Sequence, residues 1–246
     1  MSIIYINPYQ FAAAGPTDPD FANVSLLLHG DGTNGSTTIT DSSSNSNSVT
    51  ANLLGGIYNG AQISTTQSKF GGSSIEFLST ANTGLSVTSS SVFQFGTGDW
   101  TVEAWIYQRS QVQYSTLFEI GNHANTDSIT FTVGTDGFLT YSGGFFGPQI
   151  NTFTLNTWQH VAVTRAGNLL YFFLNGTIVG NSGGYSFVNN LTATSTVSVA
   201  YPYGLHPTAN ISNYRFNGYI DDFRITKGVA RYTANFTPPT APFPDA

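Results

Sequence analysis

The chain has 246 residues, a formal net charge of −6, and only 8% charged against 40% hydrophobic and 14% aromatic residues. That apolar share is too high for a disordered chain, and the length can bury a sizeable core, as all-β domains of roughly 200–250 residues do. The absence of cysteine removes disulfide frameworks and thiol chemistry, a pI near 4.8 with two lysines argues against nucleic acid, and no apolar run nears the ~18 residues of a membrane span.

The first segment, Met1 to Phe11, has no positive charge and is broken by Asn7 and Pro8, which makes it a poor secretory signal. Residues 1–22 read as an extended arm and linker, with Ala12-Ala13-Ala14-Gly15-Pro16 and Asp18-Pro19-Asp20 as the linking part. Ile3, Ile4, Tyr5, Ile6, Tyr9 and Phe11 are its candidate attachment residues, on the reading that the arm adds to a neighbour's sheet edge. The alternative is a frayed terminus or an expression remnant.

Residues 23–236 carry the rhythm of short strands between turn clusters. Strands are expected at Val24–His29, Ser74–Leu78, Leu85–Val87, Trp100–Gln108, Ser115–Ile120 and Ser128–Val133. Others follow at Phe138–Ser142, Trp158–Arg165, Leu169–Leu174, Thr177–Val179, Thr196–Tyr201 and Arg215–Thr226. Scarce helix formers and abundant Thr, aromatic and turn residues point the same way. Asn175-Gly176 between two of these runs predicts a two-residue hairpin, because such turns need positive φ. In Trp100–Tyr107 alternate residues give one face of Trp100, Val102, Ala104 and Ile106 and another of Thr101, Glu103, Trp105 and Tyr107. Both faces are partly apolar, which suits a central strand covered on both sides. Asp41–Ser48 reads as a loop, and residues 237–246, with their prolines, as a tail that cannot pair centrally.

Three segments in order carry a family resemblance. Lys69-Phe70-Gly71-Gly72-Ser73-Ser74-Ile75-Glu76-Phe77, the stretch from Trp158 through Gly176, and Gly218-Tyr219-Ile220-Asp221-Asp222-Phe223-Arg224-Ile225 resemble LamG-like domains of the concanavalin A-like lectin/glucanase superfamily. The resemblance implies an all-β jelly roll of two antiparallel sheets, which agrees with the strand reading. Residues 20–32 and Gly228-Val229-Ala230-Arg231-Tyr232 further resemble LamG-like proteins of tailed bacteriophages, which implies a virion component.

Glucanases of that superfamily place Glu-x-Asp-x-x-Glu on one strand. Here Glu76, Glu103 and Glu119 fall on separate expected strands, none with an Asp two residues on, so no glycosidase activity is expected. His29, His123, His160 and His206 are scattered, without metal-ligand spacing; His160 reads as structural. Calcium is the one metal the resemblance suggests, with Asp31, Asp221 and Asp222 as candidates. The alternative has Asp31 in a local turn and Asp221 accepting backbone amides or an arginine. By alternation Asp221 shares a face with Phe223 and Ile225. Loop aromatics and polar neighbours offer glycan-binding candidates: Tyr114, Phe145, Phe146, Tyr201, Tyr203 and His206. The alternative for these is core capping or protein contact.

The expectation is therefore a non-enzymatic bacteriophage virion surface protein, a capsid decoration or fibre knob. It would be a homo-oligomer attached to other virion proteins through its arm, and would adhere weakly to host-surface glycans. The rival readings are a purely structural decoration protein and a secreted carbohydrate-binding module.

Overall fold

Strand backbones must pair their N–H and C=O groups, and in the computed structural model they do so in two antiparallel sheets. Residues 17–51, 61–78, 83–88, 90–122, 125–148, 153–193, 197–201 and 211–246 are described, with only the backbone of Leu139, Tyr141, Phe145, Phe146 and Ile211. In chain order the strands are β1 (Val24–Leu28), β2 (Val49–Thr50), β3 (Gln62–Ser64), β4 (Ser74–Phe77), β5 (Leu85–Val87) and β6 (Trp100–Ser110). Then come β7 (Thr116–Ile120), β8 (Ile129–Gly134), β9 (Gly137–Tyr141), β10 (Phe145–Phe146) and β11 (Trp158–Ala166). The last are β12 (Leu169–Leu174), β13 (Thr177–Ile178), β14 (Tyr185–Ser186), β15 (Val197–Val199) and β16 (Asn217–Lys227).

A nine-stranded sheet runs β13-β12-β11-β6-β16-β4-β3, with β1 also on β16 and β14 on β12; a seven-stranded sheet runs β10-β9-β8-β7-β15-β5-β2. The expected strands are present with ends shifted by a few residues. The short β2, β3, β10 and β14 were not anticipated, since two or three residues carry no periodicity.

Alternation decides what fills the space between the sheets. Trp100, Val102, Ala104 and Ile106 of β6, Val161 and Val163 of β11, and Ile129, Phe131 and Val133 of β8 all point into one buried cluster. Phe131 stacks on Phe138 with centroids 5.7 Å apart, and Phe138 meets Phe153 at 4.7 Å. Each fully buried aromatic or aliphatic side chain contributes about 1.5–3 kcal/mol, so this cluster supplies the main stabilisation.

The hairpin turn forms as spaced: Asn175 and Gly176 have φ of 49° and 76°, and Phe173 pairs with Ile178. Gly176 is required twice, because a Cβ there would lie 2.0 Å from Phe236 O. Asp41–Ser48 is a loop, organised by the buried Asp41 carboxylate, which accepts the N–H groups of Leu27, Ser43 and Asn47.

Two features correct the sequence reading. A bulge in β16, with Asp222 at φ 48°, shifts the register against β6 between Asp221 and Arg224. Phe223 and Ile225 therefore enter the core, while Asp221 pairs with Trp105 on the outer face; Asp221 is buried, but on the opposite side from Phe223. Residues 237–246 form no strand, yet they are no loose tail. Together with 228–236 they make a strap across the outer face of the nine-stranded sheet. Phe236 N–H donates to Gly176 O at 2.8 Å, Phe236 stacks on Tyr232, and Phe243 is buried beside Phe21, Val24 and Leu27.

Candidate functional site

The strap covers a buried charge network. Glu103, on the outer face of β6, has no exposed surface; its Oε1 accepts from Arg224 Nε and Nη2 at 3.0 and 2.7 Å, and its Oε2 from the Tyr232 hydroxyl at 2.8 Å. Asp18 accepts from Arg224 Nη1 at 2.9 Å and from both terminal nitrogens of Arg231. Phe243 lies flat against the Arg224 guanidinium, 3.7 Å from the ring centroid. Burial alone would raise the Glu103 pKa, but Arg224 and His160 outweigh it and hold the carboxyl at about 2. The same burial and the Glu103 charge push the Tyr232 hydroxyl well up. His160 Nε2 lies 3.3 Å from Glu103 Oε2 without an aligned hydrogen bond, so the bonded side chain expected of His160 is not formed. Chemically this assembly is a clamp: its carboxylates are neutralised and closed to solvent.

Beside it, at the β16 bulge, lie the three aspartates considered for calcium. Asp222 accepts at both oxygens, from His29 Nδ1 at 2.5 Å and from Phe243 N–H at 2.8 Å, which ties it to His29 and the strap. Burial opposes charge on His29, but Asp222 and Asp245 more than compensate and lift its pKa to about 9, so the imidazolium is the neutral-pH form. Asp221 Oδ2 accepts the N–H groups of Lys69 and Phe70, while its Oδ1 is buried without a partner. Burial first, and then Asp222 and Asp31, raise its pKa to about 7. Asp31 is exposed and lies against the same turn, since a Cβ on Gly71 would meet its Oδ1. Among the described residues no three such side chains converge as a metal cage. Asp221 and Asp31 are oxygen donors of the kind a hard cation takes, but they supply only two of the roughly six to eight it needs. We expect calcium to raise the melting temperature of the wild type and not that of Asp221→Asn, read by scanning calorimetry with and without chelator; equal responses would remove Asp221 from the set.

The glycan candidates are dispersed. Tyr114 precedes β7 and packs on Tyr214 with centroids 5.0 Å apart; its N–H donates to Asn213 O. Tyr201 follows β15 at the same end of the seven-stranded sheet, where Ala200 N–H bonds Leu117 O, but it is only 6% exposed. Phe145 and Phe146 pair with Tyr141 and Thr140 on the edge strand β10, three strands from β7. Tyr203 and His206 lie outside the described residues, as do the arm residues Ile3, Ile4, Tyr5, Ile6, Tyr9 and Phe11. The structure does not bring Tyr114 and the Phe145–Phe146 pair together.

It assembles something else instead. Across the seven-stranded sheet, Thr50, Ser86, Ser198, Glu119, Thr130, Tyr141 and Phe145 stand directly opposite one another in a single rank. Ser86, Ser198, Glu119 and Thr130 alternate with residues of the core and so stand on the other face of the sheet, where Ser86 is half-buried and Ser198, Glu119 and Thr130 are buried; the Thr130 hydroxyl donates to Glu119 Oε2 at 2.8 Å. The signal was present in the sequence: Thr130 and Thr132 alternate with Ile129, Phe131 and Val133. What sequence could not supply was the register that lines seven strands up.

Two antiparallel sheets packed face to face, with the terminal strands β1 and β16 adjacent in one of them, define a jelly-roll sandwich of the concanavalin A-like type. The Laminin_G_3 family, within the concanavalin A-like lectin/glucanases superfamily, matches residues 79–231, and the chain belongs to that family. No curated protein matches the chain in sequence. Among solved structures it is similar to domain 4 of AbnA, a GH43 extracellular arabinanase from Geobacillus stearothermophilus, solved with arabinotriose. There the TM-score is 0.61 at 16% identity, over 85% of this chain and 94% of that one. The binding domain of Paraclostridial Mosquitocidal Protein 1 gives a TM-score of 0.57 at 15% identity, over 87% of this chain and 50% of that one. The receptor binding domain of botulinum neurotoxin D gives 0.51 at 12%, over 88% and 50%. The chain spans about half the length of those toxin domains, and at such identities the likeness is one of fold.

Proposed function

We propose that this is a non-enzymatic surface protein of a bacteriophage virion, a capsid decoration or fibre knob, whose jelly roll adheres weakly to host-surface glycans. The observation that supports the adhesive part is the jelly roll itself, which belongs to the concanavalin A-like lectin/glucanases superfamily. The arabinanase domain solved with arabinotriose and the toxin receptor-binding domains agree with such a use of the fold. Weak single sites become effective when many copies are displayed.

The phage part rests on residues 20–32 and 228–232, which meet in the structure: Asn23 Nδ2 donates to Lys227 O at 3.1 Å, and Arg231 approaches Asp20 at 3.9 Å. The three glutamates favour binding over hydrolysis. Glu103 is sealed under Arg224, Glu76 is paired with Arg109, and Glu119 belongs to the other sheet. Attachment to other virion proteins and self-association are assigned to the arm.

A glycan array probed with the purified protein at high density, together with labelling of intact particles by antibody, tests both parts. Saturable binding to a glycan on the array, and label on the particle surface, are the expected results. An unlabelled particle overturns the virion assignment. A blank array leaves a purely structural decoration protein. If removal of residues 2–16 leaves assembly unchanged, the arm is not the anchor.

A further inference from the structure

The strap covers only part of the outer face of the nine-stranded sheet. One rank beyond it, Gln62, Glu76, Tyr219, Tyr107 and Trp158 stand opposite one another across β3, β4, β16, β6 and β11. The Tyr107 ring centroid is 5.6 Å from that of Trp158 and 5.7 Å from that of Tyr219. Tyr107 and Trp158 are both partly exposed. Leu155, 41% exposed and one of two large apolar side chains so exposed among the described residues, stands just before Trp158; its neighbour Asn156 bonds Gln108 O. At the other end of the rank Glu76 accepts from Arg109 Nη1 at 2.8 Å and from Gln62 Nε2 at 3.2 Å, and the Arg109 guanidinium lies 4.8 Å from the Tyr219 ring centroid.

We infer that this rank is a ligand face, which rests on the proposed adhesion and gives it a place in the fold, and that it takes a neutral oligosaccharide. A pyranose or furanose ring presents weakly positive C–H groups, which the negative face of an aromatic ring attracts. Sugar hydroxyls both donate and accept; Glu76 accepts, Arg109 donates, and Gln62 does both. The charges of Arg109 and Glu76 cancel, so the face offers no net attraction to an ionic ligand. A stable protein partner needs about 800 Å² of complementary surface on each side with an apolar centre. Two partly exposed rings and Leu155, closed at one end by an ion pair, form a strip better matched to a sugar chain.

Trp158 makes the test direct. Of the three tryptophans, Trp100 lies in the core and Trp105 under the Lys69 ammonium, 3.8 Å from its ring centroid. Intrinsic fluorescence is titrated with neutral arabino-, xylo-, cello- and malto-oligosaccharides, and with a hexuronate oligomer as the charged probe. The expected result is a saturable change with a neutral oligomer, lost in Trp158→Ala and weakened about ten-fold in Glu76→Gln, whose side chain keeps the same shape. Val188→Ala, an exposed side chain outside this rank, should leave the titration unchanged, and binding on the array without this signal would place adhesion elsewhere on the molecule. Silence with every neutral oligomer, preference for the hexuronate, or loss of the signal in Val188→Ala overturns the inference. So does sedimentation showing that Trp158→Ala merely breaks a dimer, because the face would then join two copies.

Discussion

Glu103→Ala is expected to cost about 3–5 kcal/mol of folding stability, measured by urea unfolding at neutral pH. The reason is what it leaves behind: Arg224 and Arg231 under the strap with Asp18 as their remaining carboxylate, and the Tyr232 hydroxyl without its acceptor. Removing one member of a buried ion network costs more than the network contributes net, because the surviving charge stays desolvated. The pH dependence has a definite sign. Glu103 sits at about 2 when folded and near the ordinary 4.5 when unfolded, so its contribution is present above 4.5 and is lost as pH falls from 4.5 towards 2. In Glu103→Gln that part of the acid slope should vanish. An unchanged slope would show that Glu103 is not held ionised by Arg224.

Phe243→Ala should be comparably severe, about 3–5 kcal/mol, although Phe243 lies in a segment that forms no strand. Phe243 fills the small cluster of Phe21, Val24 and Leu27 and lies flat on the Arg224 guanidinium, while its N–H holds Asp222. Its loss opens the clamp to water. Because Phe243 and Glu103 both act on Arg224, the two substitutions should not add. A double-mutant cycle is expected to return a coupling of about 0.5–3 kcal/mol, and strict additivity would mean that strap and clamp stabilise independently.

How far sequence reasoning reached depends on the range of the interaction. Trp100–Tyr107 and Asn175-Gly176 declare themselves, because alternation and turn chemistry are local. The Asp222 bulge does not: one residue at positive φ inverts the phase of β16, and the phase is what placed Asp221 beside Phe223. The clamp is less legible still, since Asp18 and Arg224 are 206 residues apart in sequence and only packing brings them together. Proline correctly marked 237–246 as unable to pair, but an extended segment can dock by side chains without pairing at all. The calcium candidates followed the family pattern, and the structure separates them: Asp222 is occupied by His29 and the strap, Asp221 keeps an open oxygen. For the glycan candidates, aromatic residues in loops were conspicuous, whereas the hydroxyl rank became visible only once seven strands were in register.

The backbone N–H of Asp18 donates to the carbonyl of Ala246 at 2.7 Å. Entry to and exit from the folded unit are thus one spot on its surface, which is the geometry that tolerates circular permutation and insertion into a host loop. A short peptide could join Thr17 to Ala246 while the chain is reopened at the exposed Asn34-Gly35 turn. By the same token, the sandwich could be grafted into another scaffold as a cassette, with no spacer reaching around its body.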